Sequence, residues 1–118
     1  MLYTGYEVVY YIKGNGRMPV REYLYQFATN ERAKIRAAID YLKIYEGRLF
    51  EPYTKHVGKK IWELRIKSTN HQHRIFYSIT TKRKIVLLSA FSKKTQKTPN
   101  REIKKALNYL QDYITKAL

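Results

Sequence analysis

The run from Ile85 to Phe91 constrains the fold most, because it contains no charged residue and is apolar on both of its alternating faces. A strand of this kind must be covered on both sides by other parts of the chain, so the run predicts an interior strand of a sheet. Two earlier segments, Lys60–Ile66 and His73–Ile79, alternate between apolar and polar residues. Each is therefore expected to form a strand with one face on a core and the other face away from it.

Three other segments repeat apolar residues at the spacing of an amphipathic helix. Pro19 is predicted to begin the first of them, Asn30 to cap the second, and Gly47 to end the second. In the third, Thr98 is predicted to be the N-cap and Pro99 the first helical residue. Its buried stripe is predicted to consist of Ile103, Ala106, Leu107, Leu110 and Ile114.

A short strand, Glu7–Ile12, precedes the helices, so the predicted order of elements is β, α, α, β, β, β, α. This order predicts an α+β fold in which helices cover one face of a compact sheet. No repeat, low-complexity tract or linker divides the 118 residues. Residues 1–118 are accordingly expected to form a single domain.

The balance of charge is unusual, with 24 Lys and Arg against 9 Asp and Glu and a formal net charge of +15 at pH 7. Such a chain attracts polyanions, and we expect nucleic acid first, an acidic protein second and an anionic membrane third. No run approaches the roughly 20 apolar residues of a membrane span. The amino terminus also lacks the pattern of a signal peptide, so we expect a cytoplasmic protein with no membrane partner.

Three groups of charged residues are candidates for a functional site. Glu63 and Arg65 share the strand face that is not expected to pack on the helices, and Arg74 is expected beside them on the neighbouring strand. The third group, Lys93–Lys97, directly follows the interior strand. That strand would hold the start of this segment rigidly. Each group has a structural alternative: Arg65 pairs with Glu63, Arg74 forms a cross-strand ion pair, or the lysine run is a solvated loop.

Clustered arginines and lysines suit metal-independent cleavage of RNA. Attack by the 2′-OH needs a group that takes its proton, donors that hold the phosphate oxygens, and an acid that protonates the leaving 5′ oxygen. Crowding by other cations lowers the pKa of a lysine, so Lys93 or Lys94 is a candidate for proton transfer. No cofactor is expected, and no metal site either, because the chain has no cysteine and few carboxylates beside its three histidines.

His71 and His73 lie near a predicted turn, and no carboxylate is close to them in the sequence. A catalytic histidine is commonly oriented by such a carboxylate. We therefore expect both histidines to be surface residues that contact RNA, ahead of a role in catalysis.

Three segments, Trp62–Arg65, His73–Tyr77 and Leu87–Pro99, resemble the HigB-like branch of the RelE/ParE toxin superfamily, a branch described as phage-derived. The most specific piece is the sequence Phe-x-Lys-Lys-Thr-Gln-Lys-Thr-Pro, which begins at Phe91. The similarity extends more weakly over the amino-terminal half. The resemblance implies a RelE-like fold with a twisted, mainly antiparallel sheet, two amino-terminal helices and a carboxy-terminal helix.

The resemblance also implies an activity and partners. The activity is cleavage of mRNA in the ribosomal A site, which makes the ribosome and mRNA the targets, and the neutralising partner is a HigA-like helix-turn-helix antitoxin. By position, the resemblance implies catalytic roles for Arg65, Arg74 and Lys94 and RNA binding by Lys93 and Lys97. An acidic antitoxin segment that covers the basic residues is the expected means of neutralisation.

Two other functions stay open at this point. ParE-like inhibitors of DNA gyrase share the fold without the nuclease, and a simple nucleic-acid-binding module would carry the same charge. The arginines and lysines favour the nuclease, and the chain has no RRM, KH or zinc-finger signature. A nuclease would lose cleavage on substitution of Arg74 or Lys94 while keeping its fold, which separates the alternatives.

Overall fold

The computed structural model describes residues 5–49, 52–94 and 99–117. Within them the element order is β, α, α, β, β, β, β, α, so the α+β class is confirmed, whereas the predicted order lacked one strand. The elements are β1 (Glu7–Tyr10), α1 (Pro19–Leu24), α2 (Thr29–Ile44), β2 (Thr54–Gly58), β3 (Ile61–Lys67), β4 (Gln72–Ile79), β5 (Lys84–Ser92) and α3 (Asn100–Ala117).

The strands form one mixed sheet in the order β1-β5-β4-β3-β2. The strands β2 to β5 pair as antiparallel neighbours, and β1 pairs with β5 in parallel. The interior position predicted for Ile85–Phe91 is confirmed, since β5 lies between β1 and β4 and its residues from Ile85 to Leu88 are fully buried. The added strand, β2, lies at the edge of the sheet beside β3.

Helices cover both faces of the sheet, so the prediction that they cover one face was wrong. The helices α1 and α2 pack on the face that carries Leu64, Ile75 and Tyr77. Helix α3 packs on the opposite face, where Ala106 and Leu110 contact a core formed with Tyr11, Ile61, Phe76, Val86 and Leu88. The Tyr11 hydroxyl also donates a hydrogen bond to Asp112 Oδ2 at 2.5 Å, which joins the start of the chain to α3.

The ends of the helices follow the sequence only in part. Gly47 has φ +87° and its amide donates to the Leu42 carbonyl, which confirms the predicted end of α2. The predicted cap at Asn30 was wrong, because α2 begins at Thr29 with Ala28 as the N-cap and no side-chain cap. Ile114 is 37 % exposed, so its predicted place in the buried stripe was also wrong, and the predicted cap Thr98 lies outside the described residues.

A register shift interrupts the pairing of β4 and β5 close to Arg74. Phe76 pairs with Ser89 and Tyr77 pairs with Leu87, so Leu88 is an extra residue in β5. Bulges of this kind change the direction of the side chains that follow them.

In the described part of the chain, none of the helices has the length and apolar character that crossing a membrane requires.

Candidate functional site

Two arginines face each other across β3 and β4, since Arg65 and Arg74 are directly paired. Like charges directly opposite on neighbouring strands destabilise a sheet. Glu63 offsets this repulsion: its Oε1 accepts a hydrogen bond from Arg65 Nε at 2.8 Å and lies 3.7 Å from Arg74 Nε. Because Glu63 is 0 % exposed, a buried carboxylate holds the two guanidinium groups side by side.

Two lysines adjoin this arginine pair. Lys55 on β2 lies opposite Glu63, and Lys93 directly follows β5, where its amide donates to the Gln72 carbonyl at 2.7 Å. The charges of Glu63, Arg74, Arg65 and Lys55 all act on Lys93. We call these five residues the basic face; in it, four cations surround the Glu63 carboxylate.

Arg74 is the most constrained cation of the basic face. It is only 8 % exposed, and its guanidinium donates to the His73 carbonyl at 3.1 Å and to Gln72 Oε1 at 3.4 Å. Its Nε is buried without a hydrogen-bond partner. Burial lowers the pKa of Arg74, with Glu63 acting in the opposite direction and Arg65 in the same direction. An arginine remains charged under these conditions, so the site holds a positive charge that is fixed in place and not fully satisfied.

Lys93 loses its proton more readily than an ordinary lysine, because its pKa is lowered. The pKa is lowered first by burial and then by the nearby charges of Arg74, Arg65 and Lys55, while the Glu63 carboxylate opposes the shift. Lys94, the next residue, is exposed. Both lysines line a pocket of about 330 Å³ whose other walls include Phe91 and, from the start of α3, Glu102.

The boundary between the basic face and the α3 core follows from the sequence of β4 and β5. Phe76 and Phe91 lie on the same side as α3, with ring centroids 5.4 Å apart. Arg74 lies two residues before Phe76 on β4, where it pairs with Phe91. It is therefore further from α3 than Phe76. The apolar side chains therefore end where the charged ones begin, and the helix leaves the charged part of the sheet uncovered.

The arginines and lysines predicted for the site lie mostly close together. Arg65, Arg74 and Lys93 lie together in the basic face, and Lys94 lies at the adjoining pocket. Lys97 lies outside the described residues. The pairing of Arg65 with Glu63, which the sequence left as an alternative, is present in the structure; the functional role of Arg65 stays a prediction.

The surface position predicted for His73 was wrong. His73 is 0 % exposed on the face covered by α1 and α2. Its Nδ1 is 2.6 Å from the Tyr23 hydroxyl and its Nε2 is 2.6 Å from Glu31 Oε2. The same Tyr23 hydroxyl lies 2.7 Å from Ser92 Oγ. His73 thus joins both helices to the end of β5, and it cannot contact RNA from that position.

His71 lies on the same side of the sheet as His73, because its ring stacks on that of His73 and contacts Phe27 of the α1–α2 connection. It is partly exposed, so its contact with RNA stays a prediction. The structure does not bring it to the basic face.

Lys55 and Glu102 are two site residues that the sequence did not reveal. Lys55 was missed because β2 was missed, although the segment Thr54–Gly58 ahead of Lys59-Lys60 is compatible with a hairpin. Glu102 is 28 residues from Arg74 and 37 residues from Arg65, so only the fold brings it to the pocket. Its Oε2 is buried without a hydrogen-bond partner, 3.6 Å from Lys105 Nζ.

Across the described ranges, no three His, Asp or Glu side chains are grouped as metal ligands.

The fold and the basic face define a small α+β protein that presents partly buried cations on an uncovered part of its sheet. Residues 22–111 match the family described as Phage derived protein Gp49-like (DUF891). This match covers more than half of the chain, and the chain therefore belongs to that family, whose members are relatives of RelE- and HigB-type toxins. A search of curated proteins found no match.

Proposed function

We propose that the protein is the HigB-like toxin of a type II toxin–antitoxin pair and that it cleaves mRNA on the ribosome through its basic face. The observation that carries the proposal is the pair of opposed arginines, Arg65 and Arg74, held by one buried carboxylate. Fixed cations with unsatisfied donors are the groups that stabilise negative charge developing on a phosphate. Membership of a family of toxin relatives supports the same conclusion.

In the proposed reaction the 2′ oxygen attacks the adjacent phosphorus and the bond from phosphorus to the 5′ oxygen breaks, which leaves a 2′,3′-cyclic phosphate. Arg65 and Arg74 hold the non-bridging oxygens as their charge increases. Lys93, whose pKa is lowered, gives its proton to the leaving 5′ oxygen. Glu102, which lines the neighbouring pocket, takes the proton of the 2′-OH, and Lys94 binds the RNA backbone at the rim of that pocket.

The ribosome supplies the rest of the site in this proposal. A net charge of +15 favours association with ribosomal RNA, and the affinity is expected to fall steeply as salt increases. The proposed neutralising partner is a HigA-like helix-turn-helix antitoxin encoded beside the toxin.

The test is induction of the chain in bacterial cells with and without the neighbouring gene, with mRNA 5′ ends mapped by primer extension. We expect new in-frame cuts within translated regions, which disappear for Arg74→Ala. Arg74→Met, which keeps most of the side-chain volume, is expected to abolish cleavage as well. Lys82→Ala, in the exposed β4–β5 turn, removes one positive charge far from the basic face and is expected to leave the cuts unchanged.

Growth arrest with intact mRNA would contradict the nuclease and favour inhibition of a protein target such as gyrase. Cleavage that persists in both Arg74 variants, with circular dichroism showing that they are folded, would place the site elsewhere. The absence of arrest in the wild type would leave a binding protein without toxic activity.

A further inference from the structure

A second surface feature lies on the other side of the sheet from the α3 core. It is a groove of about 620 Å³ between α2 and β3. We call it the tyrosine groove, and its described lining residues are Lys34, Ala37, Ala38, Tyr41, Tyr45, Leu49, Tyr53, Leu64, Arg65, Ile66 and Lys67. It does not include Arg74, Lys93 or Lys94, so it is separate from the basic face except at Arg65.

The walls of the groove are exposed aromatic side chains. Tyr41, Tyr45 and Tyr53 are 58 %, 55 % and 60 % exposed. The floor is aliphatic, and its residues Leu64 and Ile66 belong to the core under α2. A concave apolar patch that stays open on an otherwise charged protein indicates a binding surface for another molecule.

The charge around the groove indicates what that molecule carries. Lys34 borders it on the α2 side, and Arg65 and Lys67 border it on the β3 side. The described residues that line it contain no carboxylate. A complementary partner therefore has an apolar stripe for the floor and acidic residues on both flanks.

We propose that the tyrosine groove docks an acidic amphipathic helix of a partner protein. A helix with apolar residues at i, i+3, i+4 and i+7 fits a groove of this kind, with the tyrosines as amphipathic contacts along its sides. The groove proposal rests on the proposed function in one respect: for a toxin, the partner that docks here is the antitoxin. It places the partner helix on the α2 side of the sheet, where Arg65 is the one described residue that the groove and the basic face have in common, so the partner binds without filling the basic face.

RNA is the competing occupant, since bases stack on tyrosines beside basic residues. The lining argues against it, because Ala37, Ala38, Leu64 and Ile66 give the groove an apolar floor. Base edges left against such a floor would lose hydrogen bonds to water without replacement. An apolar stripe of a helix loses none.

The test is fluorescence anisotropy with the full-length protein in the absence of RNA, so that its result does not depend on nuclease activity. The probe is a labelled peptide about 20 residues long, because shorter helices are marginal in water, with leucine at the stripe positions and glutamate on the flanks. The matched peptide has every leucine replaced by serine at the same charge. The third probe is an oligouridine of similar length.

We expect the leucine peptide to bind in roughly 0.15 M salt and the serine peptide to bind much more weakly. The double variant Tyr41→Ala/Tyr45→Ala is expected to weaken the leucine peptide roughly tenfold or more, as loss of aromatic anchors does. Tyr25→Ala is the matched control, because Tyr25 is 52 % exposed and outside the groove; it is expected to leave binding unchanged. Urea denaturation checks that each variant is folded.

Equal binding of the two peptides, or binding unaffected by the double variant, would overturn the proposal. So would a result in which the double variant weakens oligouridine binding and leaves peptide binding unchanged, because the groove would then be an RNA surface. Failure of the nuclease proposal gives a different result: intact mRNA after induction of the wild type, with peptide binding as expected.

Discussion

Replacement of Glu63 by glutamine tests whether one buried carboxylate holds the basic face together. The change keeps the shape of the side chain but removes the negative charge 2.8 Å from Arg65 Nε and 3.7 Å from Arg74 Nε. Removing one partner of a buried ion pair destabilises a protein by about 3–5 kcal/mol. The Arg65 side chain is 25 % exposed and is screened by water, so we expect a loss of about 2–4 kcal/mol, most of it from Arg74.

The assay is urea denaturation followed by fluorescence of Trp62, which lies next to Glu63 on β3 and packs against the core under α2. The matched control is Glu22→Gln, which removes the carboxylate of the exposed Arg17–Glu22 pair, 2.6 Å apart. Exposed pairs contribute little, so we expect almost no change in the control. If the two variants lose the same small free energy of unfolding, the carboxylate does not stabilise the arginine pair and the reasoning is refuted.

Sulfate provides a second readout on Glu63→Gln. If the two guanidinium groups form an oxyanion site once the carboxylate is gone, sulfate binds the folded variant and raises its stability by linkage. Sulfate also stabilises proteins in general by exclusion from their surface. The expected result is therefore a larger gain for Glu63→Gln than for the wild type at matched ionic strength, and equal gains would contradict it.

Three further predictions concern the support of the site. Tyr23→Phe leaves His73 without its partner at Nδ1 and is expected to lower the free energy of unfolding, measured in urea, by about 1–3 kcal/mol. Hydrogen bonds from Ser68 and His73 lower the pKa of Glu31, so its contribution is fully present above the unfolded pKa of about 4.3 and is lost as pH falls through the folded pKa; acid titrations of the wild type and Glu31→Gln should converge at low pH. Gly47→Ala is expected to cost about 2–4 kcal/mol in the same urea assay, because φ is +87° and the new Cβ would lie 2.5 Å from a side-chain carbon of Ile79.

Each of these predictions has a contrary outcome. A Tyr23→Phe protein as stable as the wild type would mean that His73 finds another partner. A constant difference between wild type and Glu31→Gln over the acid range would mean that the carboxylate is not stabilised by ionisation. A Gly47→Ala change below about 1 kcal/mol would mean that Ile79 and the end of α2 move aside at little cost.

The strands of the site were predictable because their periodicity is local. The alternation in Lys60–Ile66 and His73–Ile79 assigned Glu63, Arg65 and Arg74 to one face, and the structure confirms that assignment. An antiparallel neighbour then brings residues of the same face together without any further information. This is why the arginine pair was accessible from sequence.

The placement of α3 was not predictable in the same way. Its apolar stripe shows which side of the helix is buried, but it does not show which side of the sheet the helix covers. The answer depends on Ile61, Phe76 and Val86, which form the second apolar patch for α3. In β3 and β4 that patch ends at Glu63 and Arg74, so the sheet looked open from the charged residues alone.

His73 shows a second kind of failure. No carboxylate is close to it in the sequence, but Glu31 is 42 residues away and Tyr23 is 50 residues away, and both contact its ring. Partners at such distances are specified by the packing of α1 and α2 on the sheet. Strand β2 was missed for a different reason, because it is short, lies at an edge and carries few apolar residues.

The parallel pairing of β1 with β5 affects when the molecule can acquire its structure during synthesis. Glu7 and Lys84 are ion-paired across 77 residues, and Tyr11 reaches Asp112 across 101. The first strand therefore has no partner until the fifth has been made, and the core around Tyr11 closes only when α3 follows. Long-range pairings of this kind form late. Nascent chains halted before Lys84 are therefore expected to be cut readily by proteases, whereas chains that include α3 are expected to resist them.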